Sequence, residues 1–322
     1  MKAIVYYEYG GSEALQLKEV PTPTPKDNEV LIKIHATSVN SWDWDLLNGT
    51  PFLVRLVGGG ISKPKINILG CDVAGTVEAI GKKVIQFKVG DDVFGDLSGG
   101  NWGGFAEYVC AQEKELTLKP KGITFEQAAS LPQAAVMALQ GIRDHGKVQS
   151  GHKVLINGAG GGIGSFAIQM AKEAGAEITG VDSAQKFNFM RSLGANHVID
   201  YKQGDFTKNG KQYDFILDVV GYHSIFEYKK ALTPTGIYRM IGGPTPLIFQ
   251  SVFVAPFITM FHKKKMGILA QETNKELAYL AELVEKGKLN TNIDKVFPLS
   301  KTADALQYLG DGKALGKIVI SI

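Results

Sequence analysis

A strand-like run at 152–158, HKVLING, leads without a break into Ala159-Gly160-Gly161-Gly162-Ile163-Gly164 and on into the helix-prone stretch GIGSFAIQMAKEAG. Strand, glycine turn and helix in that order aim helix N-terminal amides at one point, where a dinucleotide pyrophosphate can rest. Read as the fingerprint Ala159-x-Gly161-x-x-Gly164, the turn uses Gly161 for close approach of backbone to pyrophosphate and Gly164 for tight helix–strand packing. The surroundings follow suit. EITGVD, HVIDY, FILDVVG and GIYRMIGG are short apolar runs, and AQKFNFMRSLG is helical in pattern. Such alternation predicts an α/β fold of βαβ units, a parallel sheet covered on both faces.

Asp182 closes the second of these strands, 21 residues after Gly161 (182 − 161). That spacing suits a carboxylate for the adenosine ribose and favours NAD(H). Ser183 and Lys186 follow directly. A hydroxyl and an ammonium are what the 2′-phosphate of NADP(H) needs, so the two cofactors stay in competition at this point.

Before the turn the texture differs. Residues 1 to about 122 hold short runs rich in Val, Ile and Tyr (KAIVYYEY, EVLIKIHATSVN, DVAGTVEAIG, GDDVFGD, AEYVCAQ) separated by Gly, Pro, Asn and Asp. A β-rich domain is expected there. Thr124 reads as the N-cap of an Ala-rich helix. Beyond about 270, NKELAYLAELVEKGK carries Leu277, Leu280 and Val284 at helical spacing, and GKIVISI ends the chain as a strand. The expected organisation is a catalytic domain at 1–122, a doubly wound nucleotide-binding domain at 123–269, and a return to the first domain at 270–322. A length of 322 residues fits two domains.

Other classes are disfavoured by composition. The 35 basic and 32 acidic residues are mixed along the chain, with no basic block to follow a phosphate backbone, so nucleic acid is not an expected partner. Two cysteines, Cys71 and Cys110, are too few for a disulfide scaffold or a four-cysteine zinc lobe, and point to a reducing, cytoplasmic compartment. The run Leu247–Phe261, broken by Gln250 and Pro256, is shorter than the roughly 18 to 20 apolar residues that span a bilayer.

The segments SVNSWDWDLLNG (38–49), ILGCDVAGTVEAIG (68–81), FKVGDDVFGDL (87–97), FAEYV (105–109) and SLGANHVIDY (192–201), together with the glycine turn, resemble the zinc-free quinone oxidoreductase branch of the medium-chain dehydrogenase/reductase superfamily. The resemblance covers essentially the whole chain. It implies a Rossmann domain inserted into a GroES-like catalytic domain, with an active site in the cleft between the domains. Zinc-dependent members carry a Cys at position 40, a His-Glu pair at 71 and 72, and a Cys at 133. This chain has Asn40, Cys71, Asp72 and Gln133 there, so no zinc is expected.

By the same resemblance Lys186 and Tyr201 would meet the cofactor's 2′-phosphate, which moves the expectation to NADP(H). Asp182 departs from the family pattern and keeps NAD(H) open. Asn40 is the expected catalytic residue, donating its amide N–H to the substrate oxygen as hydride arrives. Asp43 matches the motif as either a loop holder or a helix cap. Trp44 is the expected substrate contact, a flat apolar wall for a quinone or enone. Gly221, Gly242 and Gly243 follow two strands where backbone would approach the nicotinamide. The apolar run 247–261, followed by His262-Lys263-Lys264-Lys265, suggests a homodimer surface or lid, with peripheral contact to an anionic membrane as the second reading. Two further functions stay open: a zinc-type alcohol dehydrogenase, and a nicotinamide-nucleotide binder without turnover.

Overall fold

The computed structural model describes residues 1–56 and 60–322. The chain divides into two compact units, one of Met1–Val136 with Glu272–Ile322 and one of Met137–Gln271.

In the first unit, β1 (Lys2–Val5) and β2 (Gln16–Glu19) form an antiparallel pair. β3 (Glu29–Val39) is followed by α1 (Ser41–Asn48), β4 (Asp72–Ile80), β5 (Asp92–Asp96), β6 (Tyr108–Gln112) and β7 (Thr117–Leu118). Then come α2 (Phe125–Ala129) and α3 (Pro132–Leu139). Thr124 caps α2 through its Oγ1, which accepts the Gln127 N–H at 3.2 Å. The division between the units falls inside α3 and not at residue 122: α2 packs on β3 and β4, which ties it to the first unit.

The second unit contains β8 (Lys153–Asn157), α4 (Gly162–Glu173), β9 (Glu177–Asp182), α5 (Phe187–Leu193), β10 (His197–Asp200) and β11 (Tyr213–Asp218). α6 (Ile225–Ala231) and β12 (Leu232–Met240) follow. α7 (Thr245–Phe249), a wider turn at Gln250–Val254, α8 (Ala255–Phe261) and β13 (Lys265–Ile268) complete it. All its strands pair in parallel, in the order β10-β9-β8-β11-β12-β13. This is the doubly wound dinucleotide-binding order, with chain reversal beside β8. β8, β9 and β11 are nearly continuous apolar runs because both faces of the sheet are covered.

The chain returns to the first unit through α9 (Leu277–Glu285), β14 (Ile293–Pro298), α10 (Thr302–Gly310) and β15 (Lys317–Ser321). The seven-stranded sheet there runs β14-β15-β3-β4-β5-β7, with β6 also on β3. β15 lies antiparallel to β3 with Ile318 opposite Val39, and β3 antiparallel to β4 with Ser38 opposite Asp72. That register, continued by one residue, sets Lys317 across from Asn40, and three neighbouring strands deliver one cluster. No helix among the described residues is long and apolar enough to cross a membrane.

Candidate active site

The polar cluster of the first unit starts where β3 gives way to α1. Asn40 is extended (φ −126°, ψ 159°) at the helix N-cap. Its backbone N–H donates to Asp43 Oδ2 at 2.8 Å, while Asp43 Oδ1 accepts the Gly70 N–H at 2.9 Å. Asp43 is fully buried, and burial pushes its carboxyl up to about 7 against those two hydrogen bonds. It therefore holds the loop and caps α1.

The Asn40 side chain turns inward. Its Oδ1 accepts from Lys317 Nζ at 2.5 Å, and its Nδ2 donates to Asp72 Oδ2 at 2.9 Å and toward Cys71 Sγ at 3.5 Å. Asp72 also accepts from Ser38 Oγ at 2.7 Å and the Gln133 N–H at 3.0 Å, with Lys317 Nζ 3.6 Å away. Lys317 Nζ further donates to the Val39 carbonyl at 3.4 Å. Lys317 and Asp72 are 2% and 0% exposed, which makes theirs a buried charge pair. Burial raises the Asp72 carboxyl, opposed first by Lys317 and then by its hydrogen-bond donors. Burial, with Asp72, Asp96 and Asp43 nearby, holds Cys71 well above the thiol range, so its sulfur keeps its proton.

Lys317 was not among the residues expected from sequence. A lysine opening the apolar strand KIVIS was the signal that could have found it, since charges seldom enter such a run without a partner. Trp44, expected as a substrate wall, is partly buried. A Cβ built on Gly310 would lie 2.6 Å from its Cη2, so the indole packs α1 against α10. Trp42 and Phe52 are the exposed aromatics of this segment.

In the second unit the turn after β8 is stitched to β9: the N–H groups of Gly158 and Ala159 donate to the Val181 carbonyl at 2.9 and 3.1 Å. Gly161 is the N-cap of α4, and no side chain caps it. The first-turn amides of Gly162, Ile163 and Gly164 precede any intrahelical acceptor and are free to bind an anion. A Cβ on Gly161 would meet only Gly158 O at 3.6 Å, whereas one on Gly164 would sit 2.5 Å from Ala159 Cα. Gly161 is thus open on its Cβ side, and the close approach at Gly164 lets α4 settle against β8.

Asp182, expected at the adenosine ribose, bonds here to the chain's own backbone. Its Oδ2 accepts the Gly160 N–H at 2.9 Å and its Oδ1 the Ser183 N–H at 2.8 Å, with Lys186 Nζ 3.4 Å from Oδ1. The carboxylate clamps the glycine turn. Lys186 is buried against it, its stem lying where a Gly160 Cβ would be. Ser183 begins the turn leading to α5, and the Tyr201 ring is exposed beside Tyr222, centroids 6.3 Å apart.

At the ends of β11 and β12, Gly221 (φ +56°) approaches Gly242 and Gly243 closely: its Cβ would lie 2.8 Å from Gly242 O and 3.2 Å from Gly243 Cα. Beneath them Asp218, fully buried, accepts from Asn157 Nδ2 at 2.7 Å, Tyr238 Oη at 2.8 Å and the Gly221 N–H at 2.9 Å. Burial raises its carboxyl, and Tyr228 first and then these donors restrain it. Asp218 fixes the loop in which Gly221 sits. It drew no weight from sequence reasoning, because an Asp at a strand end looks like a turn residue.

Residues 26–121 match the family described as alcohol dehydrogenase GroES-like domain, and residues 193–320 the one described as zinc-binding dehydrogenase. A chloroplast envelope quinone oxidoreductase homolog of Arabidopsis thaliana is 36% identical, over 99% of this chain and 98% of that one. The chain belongs to the medium-chain dehydrogenase/reductase superfamily. Within it, an Arabidopsis thaliana NADPH-dependent alkenal/one oxidoreductase is 31% identical over 99% of this chain and 79% of its own length. The structure of the quinone oxidoreductase from Coxiella burnetii superimposes with a TM-score of 0.88 at 33% identity, covering 100% of this chain and 99% of that one. This member is an oxidoreductase of the quinone oxidoreductase-like branch.

Proposed function

We propose that this protein reduces quinones or α,β-unsaturated carbonyls by hydride transfer, with NADP(H) as cofactor and without zinc. The observation that carries the reading is the cluster around Asn40. The zinc implied by the family does not fit there. Of the four positions that build the metal site in zinc-dependent relatives, Asn40 and Gln133 aim amide nitrogens at Cys71 Sγ, 3.5 and 3.7 Å away. An amide nitrogen has no lone pair for a metal. The Lys317 ammonium already stands beside Asp72, where it would repel a cation. Cys71, Asp72 and Asp96 do place possible ligand atoms within 4.8 Å of one another. Asp72, however, is already paired with Lys317, and Cys71 with Asp96 alone falls short of the three ligands of a catalytic zinc.

The nicotinamide nucleotide fits the second unit, where an uncapped helix N-terminus meets the open face of Gly161. Gly160 to Gly164 would hold the pyrophosphate, with Ala159 beneath it and Gly242 and Gly243 near the ring. Bound NADPH supplies the hydride. Lys186 would leave Asp182 to meet the 2′-phosphate, and Tyr201 would flank it. On the substrate side, Asn40 holds one N–H on Asp72 and directs the other at a thiol sulfur, a weak acceptor. A substrate oxygen displaces that sulfur at little cost and takes the second N–H as charge grows on it. A fixed donor of this kind is worth about 10²- to 10³-fold in rate.

The test is oxidation of NADPH followed at 340 nm against a naphthoquinone and a medium-chain enone, with and without a chelator. Chelator-insensitive turnover is the expected result. Stoichiometric zinc with alcohol oxidation would identify a zinc dehydrogenase instead, and tight NADPH binding without turnover a non-catalytic binder. We also assign the exposed face of Phe249, Phe253, Phe257, Met260 and Phe261 to a homodimer contact, and the chain to a reducing, cytoplasmic compartment in keeping with its two free, buried cysteines.

A further inference from the structure

We propose that Lys317 is a positioning residue for Asn40: its ammonium fixes which way the Asn40 amide faces and so presents the N–H that a substrate oxygen takes. The proposal rests on the function assigned to Asn40 above.

A carboxamide can be turned end for end with little change in shape, so its partners decide its direction. Lys317 Nζ can only donate, and it sits 2.5 Å from Asn40 Oδ1. Ionised Asp72 can only accept, and it sits 2.9 Å from Nδ2. The reversed amide would set NH₂ against ammonium and oxygen against carboxylate, two repulsions between buried groups. The two charges therefore enforce a single orientation, and they neutralise each other at 3.6 Å.

Lys317 also reaches the backbone from which Asn40 projects, through the Val39 carbonyl at 3.4 Å. Its own backbone is pinned, since the Lys317 N–H donates to the Asn292 carbonyl at 2.9 Å and β15 is in register with β3. The ammonium is held from both sides. A donor bonded at its carbonyl end to a cation is polarised so that its N–H groups become stronger donors. Lys317 thus orients the amide and sharpens the one N–H left on a weak acceptor.

A purely structural Lys317 would serve only to neutralise Asp72. The two roles separate in the double variant K317M/D72N, which removes both buried charges and leaves an amide oxygen in place of the carboxylate, still able to accept from Asn40. K317M alone strands a buried carboxylate and can fail to fold, so the double variant carries the test. Melting temperature and NADPH affinity are measured first, then kcat and KM with NADPH and a naphthoquinone, with N40A placed on each background.

The expected result is a folded protein with wild-type NADPH affinity, a kcat lowered about 10- to 100-fold, and a naphthoquinone KM within about threefold. N40A should cost much less on this background than on the wild type. A kcat within about twofold of wild type would overturn the proposal and leave charge neutralisation as the role of Lys317. If the wild type itself turns nothing over, the assigned function fails, and the orientation is read without activity from hydrogen exchange of the Asn40 side-chain NH₂, identified by its loss in N40A. Slow exchange in wild type and fast exchange in K317M/D72N supports positioning; equal exchange refutes it.

Discussion

Gly161 and Gly164 lie three residues apart in one turn, and the structure gives them opposite jobs that a pair of alanine substitutions separates. A Cβ at 164 would fall 2.5 Å from Ala159 Cα and 2.6 Å from its carbonyl carbon, backbone atoms that no rotamer change can move aside. Overpacking against backbone that cannot yield falls in the upper part of the usual range, at about 2 to 3 kcal/mol. Alanine is the better helix former by about 1 kcal/mol, which offsets part of it. The net loss for G164A is about 1 to 2 kcal/mol, or a melting temperature lower by about 3 to 6 °C.

At 161 the Cβ would meet only Gly158 O, at an ordinary 3.6 Å, and the backbone (φ −91°, ψ −172°) suits any residue. Alanine's poorer N-capping and its lower unfolded-state entropy are each worth about 0.5 to 1 kcal/mol with opposite signs, so G161A should melt close to the wild type. Its methyl instead stands where the pyrophosphate would approach. Losing hydrogen bonds to a charged group at about 1.5 to 3 kcal/mol predicts NADPH binding about 10- to 100-fold weaker. Thermal melts and NADPH fluorescence titrations on both variants read the two effects apart. G161A with wild-type affinity would mean that the turn does not seat the cofactor, and G164A with a wild-type melt would refute the close packing.

Asp182 stands beside Lys186, so D182N should free the ammonium and raise the preference for NADPH over NADH in kcat/KM; a shift toward NADH would show that the carboxylate hinders no phosphate. Asp45 is half-buried, and burial alone raises its carboxyl from 3.8 to about 7. The folded state thus binds this proton more tightly than the unfolded one, and the Asp45 contribution is fully present below about pH 3.8 and lost as pH rises through 7. D45N should therefore raise the melting temperature more at pH 8 than at pH 5, and an equal effect at both would contradict the shift. F257E, on the exposed face of α8, should lower the sedimentation coefficient to that of a monomer. An unchanged coefficient with lost binding to anionic vesicles would instead make this face a membrane contact.

The doubly wound sheet was legible because its central strands are buried on both sides and so announce themselves as apolar runs. β13 escaped notice, since KMGI begins inside a lysine cluster, and so did β2, whose four residues are all exposed and show no alternation. The Ala-rich segment read as one helix is divided at Pro132, and its first half belongs to the catalytic unit through contacts that lie far off in sequence. Within the candidate site, spacing placed Asp182 near the glycine turn but could not tell that its oxygens would face the turn's own amides. Nor could it pair Lys317 with Asn40, because that contact exists only through the register of β15 on β3.

That register bears on how the protein is made. Lys317 and Asn40 stand 277 residues apart, and β15 leaves a ribosome after the other strands of its sheet. The nucleotide-binding unit is one uninterrupted stretch, free to form during synthesis. The sheet of the first unit must wait with the Ala36–Val39 edge of β3 open until β15 arrives, and long-range pairing of this kind is slow. A nascent chain can accordingly carry a finished glycine turn and doubly wound sheet while Asn40 still lacks its Lys317 partner, which arrives only with β15.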